Sequence, residues 1–125
     1  MSQVTEQELQ EKAVAPRVTK AHIDSLIVGA HYFTAGDGYA GALVASDEFN
    51  ALPEDERFVH PPSELDLLTF CVIILKNGFT VTGESACASP ENFDPEIGRK
   101  IAYNNAVNKI WLLEGYLLKE KLHQV

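Results

Sequence analysis

Asn77-Gly78 separates two runs of strand-forming residues, 67–76 and 79–85, and this juxtaposition restricts the fold more than any other feature of the chain. An Asn-Gly pair accepts the positive φ that a two-residue type I′ turn demands, so it predicts an antiparallel hairpin. A two-residue turn pairs Lys76 with Phe79, which sets Ile74 opposite Val81, Val72 opposite Gly83, Phe70 opposite Ser85 and Cys71 opposite Glu84. One face then carries Phe70, Val72, Ile74, Phe79 and Val81; the other carries Cys71, Ile73 and Leu75 beside Thr80, Thr82 and Glu84. The first strand is apolar on both faces. One face calls for the chain's own helices, the other for a sheet contact or a second subunit.

Helix signals flank the hairpin. Asp94-Pro95-Glu96 reads as an N-cap, a proline at the first helical position and an acid in the first turn. Ile97, Ile101, Ala102, Ala106, Val107, Ile110 and Trp111 follow as one apolar stripe at helical spacing, and a second segment over 113–122 buries Leu113, Leu117 and Tyr116. Periodicity leaves open whether the two join or bend near Leu112. Upstream, Thr19 caps a short helix over 20–28 stopped by Gly29, and His31-Tyr32-Phe33-Thr34 forms a strand closed by Gly36, Asp37 and Gly38. Residues 41–64, with Pro53, Pro61, Pro62 and the cluster Glu54-Asp55-Glu56-Arg57, read as an irregular excursion with one helical turn after Pro53. Residues 1–18 read as a flexible arm or short solvated helix, and 19–125 as a single α+β domain: a small antiparallel sheet built on the central hairpin, packed against C-terminal helices.

Charge narrows the function. Ten Lys and Arg against 18 Asp and Glu give a net charge of −8, which repels a polyanion, and no basic run offers a footprint for duplex DNA or RNA. No apolar run approaches the ~20 residues that cross a bilayer, and the N-terminal residues lack a secretory pattern. Two cysteines, Cys71 and Cys87, match no redox or zinc spacing and read as reduced thiols, so the expected location is the host cell cytoplasm. His22, His31, His60 and His123 contain no i,i+4 pair, so neither a metal site nor a cofactor is expected. No nucleophile–base motif or carboxylate pair marks an enzyme.

A binding site has better support. Phe79, Asn92 and Arg99 fall within about twenty residues: an aromatic stacks on a base at ~1–3 kcal/mol, Asn reads an amide-like edge and Arg grips a phosphate through its fork of donors. Each has a plainer role beside it. Phe79 lies on the expected core face, Asn92 can shape the turn before the helix, and Arg99 can pair with Glu96.

The residues 75–79, Gly83-Glu84-Ser85-Ala86-Cys87, Ser89-Pro90-Glu91-Asn92-Phe93-Asp94, 96–102, Lys109-Ile110-Trp111 and 113–118 resemble a phage protein family named after gene products 49 and 66 of two enterobacterial phages. The resemblance covers 67–122, and Leu112 departs from it, standing where many members carry proline. The C-terminal pattern is also similar to that of phage anti-Thoeris proteins, non-enzymatic homo-oligomers that sequester cyclic ADP-ribose signals and, in some cases, the cyclic oligonucleotides of CBASS defence. This implies an anti-defence protein whose nucleotide pocket uses Phe79, Asn92, Arg99 and Lys109. Arg57, a cation in an acidic loop, joins them on charge alone, with a surface role as its plainer reading. The expectation is therefore a homo-oligomeric sponge that binds a cyclic nucleotide without cleaving it. The alternative is a small phage accessory protein acting by protein–protein contact through the 41–64 excursion.

Overall fold

A computed structural model of the chain describes residues 4–12 and 15–124. Its helices are α1 (Glu6–Lys12), α2 (Lys20–Leu26), α3 (Ala35–Ala45), α4 (Asp47–Ala51) and α5 (Pro95–His123), and its strands are β1 (Ile27–Thr34), β2 (Leu68–Leu75) and β3 (Thr80–Ala86). Single 3-10 turns occur at Glu54–Glu56, Ser63–Leu67 and Pro90–Asn92. The three strands form one antiparallel sheet in the order β1-β2-β3, and α5 lies across one face of it: the fold is α+β.

The hairpin forms, but its register differs by one residue from the type I′ expectation. Cys71 pairs with Gly83, Ile73 with Val81 and Ile74 with Thr80. The Leu75 amide donates to the Phe79 carbonyl (2.9 Å) and the Gly78 amide to the Leu75 carbonyl (2.8 Å), so the loop is the three residues Lys76-Asn77-Gly78. Of these three, Gly78 alone takes a positive φ, 87°. A type I′ turn needs Asn77 there as well, whereas a three-residue loop places only its last residue in the left-handed region. The Asn77 side chain instead accepts from the Phe79 amide at 2.9 Å.

A slip of one residue on one strand exchanges the partners of every side chain. Thr69, Cys71, Ile73 and Leu75 are buried beneath α5 with Val81 and Gly83, while Phe70, Val72 and Ile74 are half-buried on the opposite face. The core closes with Ile23 from α2 and with Ala102, Ala106 and Ile110 from α5. Cys71 and Cys87 are both free thiols.

Small residues set the distance between helix and sheet. A Cβ at Gly83 would stand 2.1 Å from the Ala102 carbonyl oxygen and 2.3 Å from the Ala106 amide nitrogen, so β3 and α5 meet backbone to backbone. Most of the expected stripe faces inward: Ala102, Ala106 and Ile110 are buried and Val107 and Trp111 pack against them, but the close approach leaves out its first two members, Ile97 and Ile101. Gly98, Ala102, Ala106 and Ile110, spaced four apart, face the sheet, while Ile97 and Ile101 are exposed. Asp94 caps α5 as the sequence predicts, accepting from the Glu96 and Ile97 amides. The helix runs through Leu112 without a break.

Three further expectations are corrected. Thr19 does cap α2, but the helix ends at Leu26 and Gly29 lies inside β1. Gly36-Asp37-Gly38 does not turn; it forms the first turn of α3, because Thr34 and Asp37 make a reciprocal capping box that satisfies two terminal amides. The 41–64 excursion holds the end of α3, all of α4 and the turn after Pro53. In the N-terminal region, Arg17 bridges to Glu6 at 2.8 Å and holds that carboxyl below its ordinary range.

Candidate functional site

Tyr32 stands on β1 opposite Cys71, on the sheet face that α5 covers, and β1 is the edge farthest from β3. Its ring therefore emerges beside the helix and is 39% exposed. Across from it, α5 presents Arg99 and Tyr103 one turn apart, with Lys100 and Asn104 one turn apart beside them. These residues and Glu96 line a groove of about 510 Å³. A second hollow, of about 160 Å³, opens on the other side of Tyr32 and Arg99 against Phe33, Thr34, Asp37, Thr69, Phe93 and Pro95.

The charges around Arg99 are already engaged. Lys100 pairs with Glu96 at 3.3 Å, and Asp37 is held by Thr34, whose amide donates to it at 3.0 Å. Arg99 itself makes no hydrogen bond or ion pair among the described residues. The N-terminal amides of α5 are taken by Asp94, so the guanidinium, not the helix terminus, is the available anion contact. Burial raises the Tyr32 phenol above its ordinary range, aided by the Cys71 thiol and Tyr103 and opposed by Arg99, so Tyr32 remains a hydrogen-bond donor at neutral pH. The arrangement suits a ligand with a planar ring for the tyrosines and an anionic group for Arg99.

The sequence-derived residues are distributed along the molecule. Arg99 lies in the groove. Asn92 is exposed in the 3-10 turn just before α5, where its amide donates to the Ser89 carbonyl. Phe79 is 57% exposed, not core, and lines a different hollow of about 200 Å³ with Leu113, Tyr116 and Leu117. Arg99 and Leu113 are fourteen positions apart on α5, about 21 Å along the axis. One small ligand on one chain therefore does not reach both Phe79 and Arg99. Lys109 extends over the β3 edge toward the Thr82 hydroxyl, 3.4 Å away. Arg57 donates to the Leu52 and Asn50 carbonyls, closing the end of α4.

Tyr32, Tyr103 and Asn104 were not singled out from the sequence. Tyr103 and Asn104 carry a usable signal, four residues beyond Arg99 and Lys100 on the same helix face. Tyr32 has none, since only the β1–β2 pairing brings it there. Among the described residues no group of three or more His, Cys, Asp or Glu side chains could hold a metal, and no helix is long and apolar enough to cross a membrane.

No curated protein and no solved structure matches the chain. A family model does, over residues 18–122, so the likeness seen from residue 67 onward extends through α2, β1 and the excursion. The chain belongs to the Phage protein (N4 Gp49/phage Sf6 gene 66) family.

Proposed function

We propose that this phage-family protein captures a small cyclic nucleotide immune signal, a cyclic ADP-ribose isomer or a cyclic oligonucleotide, and withholds it without cleavage. The observation that carries the reading is Arg99, a guanidinium free of partners among the described residues, set beside Tyr32 and Tyr103 in an open groove. In an acidic chain such a cation is the place where an anionic ligand gains most, because the surrounding field disfavours it elsewhere. Two flanking phenols add stacking surface. Capture of this kind depends on tight binding and excess protein rather than turnover.

Isothermal titration with a cyclic ADP-ribose isomer and with a cyclic dinucleotide tests the reading, followed by heating and chromatography of the released ligand. Uptake with intact release supports it. Arg99→Ala and Tyr103→Ala should each weaken binding at least tenfold, about 1.4 kcal/mol, while circular dichroism stays unchanged. Altered ligand would indicate an enzyme. Absence of uptake would favour protein contact through the excursion, where every residue from 51 to 60 is exposed and Phe58 is 65% open.

A further inference from the structure

The capping box that starts α3 also fixes a carboxylate at the end of the sheet. Thr34 closes β1 and pairs with Thr69 on β2, and its hydroxyl accepts from the Asp37 amide at 3.1 Å, so Asp37 is held beside that pair. One Asp37 carboxylate oxygen accepts from the Thr34 amide at 3.0 Å; the other has no donor among the described residues. Asp37 and Arg99 both border the smaller hollow, of about 160 Å³, yet they form no ion pair with each other.

Thr69 supplies a third polar wall. It is 4% exposed, and its hydroxyl makes no hydrogen bond among the described residues. No fully enclosed side-chain oxygen among them lacks a partner, so the hydroxyl is the part of Thr69 that reaches open space, and the hollow is the space beside it. It faces Gly98 at the start of α5, where a Cβ would stand 3.1 Å from the Thr69 oxygen and 3.8 Å from the Phe93 ring.

Size and charge define the occupant. The hollow is smaller than the ~300 Å³ at which pockets for whole ligands begin, so it takes one ring of something larger. Asp37 repels an anion there and Arg99 repels a cation. A neutral group with hydroxyls satisfies both, because a hydroxyl donates to a carboxylate and accepts from a guanidinium. Phe33 and Phe93 on the walls give such a ring apolar contact. We propose that this hollow is a sugar subsite: it takes a pentose whose phosphate lies on Arg99, with one of two vicinal hydroxyls donating to the open oxygen of Asp37 and the other meeting Thr69. The subsite rests on the reading that Arg99 holds the ligand's anionic group, and it makes Asp37 and Thr69 the residues that read the sugar.

NMR shifts of the full chain, titrated with ribose 5-phosphate, 2-deoxyribose 5-phosphate and inorganic phosphate, test it. Ribose 5-phosphate should move the signals of Thr34, Asp37 and Thr69 together with Arg99, and inorganic phosphate those of Arg99 without Thr69. Removing one hydroxyl should weaken binding on the order of tenfold, since its partner is a charged group. Asp37→Asn keeps an oxygen for the Thr34 amide but turns a donor toward the hollow, so the two sugars should then bind alike. Thr69→Val keeps the side-chain shape and should weaken ribose 5-phosphate several-fold with circular dichroism unchanged. Equal binding of the two sugar phosphates by the native chain, or of neither, overturns the subsite, as does a preference that survives Asp37→Asn in a folded variant. Cyclic nucleotide uptake without sugar discrimination leaves the capture reading standing and removes the subsite. Sugar discrimination without cyclic nucleotide uptake does the reverse.

Discussion

Replacing Gly83 by alanine tests the packing on which the groove depends. The added methyl carbon would stand 2.1 Å from the Ala102 carbonyl oxygen and 2.3 Å from the Ala106 nitrogen. Ordinary non-bonded contact needs about 3.5 Å, so α5 must retreat by more than an ångström. Neither neighbour can swing aside, because both are backbone atoms of a continuous helix. Overpacking of a tight core costs about 1–3 kcal/mol, and a clash with two rigid backbone groups belongs at or above the top of that range. For a chain of 125 residues, about 3 kcal/mol corresponds to a fall in Tm of roughly 10 °C or more. Urea unfolding followed by circular dichroism measures it. Gly115→Ala is the control: the same helix, open space around the new methyl, and an expected gain of about 0.5–1 kcal/mol. If Gly83→Ala lost less than ~1 kcal/mol, backbone contact between β3 and α5 would not be what sets the sheet–helix distance.

Two further perturbations act on local features. Asp94→Ala leaves the Glu96 and Ile97 amides without their acceptor and should cost about 1 kcal/mol in urea unfolding, whereas Asp94→Asn keeps an acceptor oxygen and should retain most of the stability. Burial raises the Cys71 thiol above its ordinary value of 9.0, so the native state keeps a proton that the unfolded chain releases. The associated stability is present in full below pH 9.0 and is lost as pH rises through the folded-state value; Cys71→Ala should flatten stability against pH in that alkaline range.

Local chemistry was readable where one short segment decides the outcome. Asp94 and Thr19 cap their helices because a side-chain oxygen next to free amides needs no help from the rest of the fold. The hairpin was legible in its existence and not in its register. Asn77-Gly78 is compatible with both a two- and a three-residue loop, and packing decides between them: only the observed register puts glycine, rather than a larger side chain, where α5 touches β3. Gly36 and Gly38 resemble turn residues, yet the Thr34–Asp37 capping box outweighs their propensity and starts a helix.

The groove was harder to read because its position follows from close approach rather than from a motif. Apolar periodicity assigns Ile97 and Ile101 to the core, since large side chains bury more area than small ones. Gly83 overrides that choice for these two while keeping Ala102 and Ala106 of the same stripe inward. Where a strand offers no side chain, the helix gains most by presenting its own smallest residues, and Gly98, Ala102 and Ala106 then turn inward. Arg99 and Tyr103, one position beyond Gly98 and Ala102, are thereby aimed at the β1 side of the sheet, where Tyr32 stands. An isoleucine-inward helix would have pointed Arg99 elsewhere. The same rotation carries forward along an unbroken helix and leaves Leu112 and Tyr116 on its outer side. One glycine on β3 thus decides which side chains of α5 reach the groove proposed for a ligand and which stay in solvent.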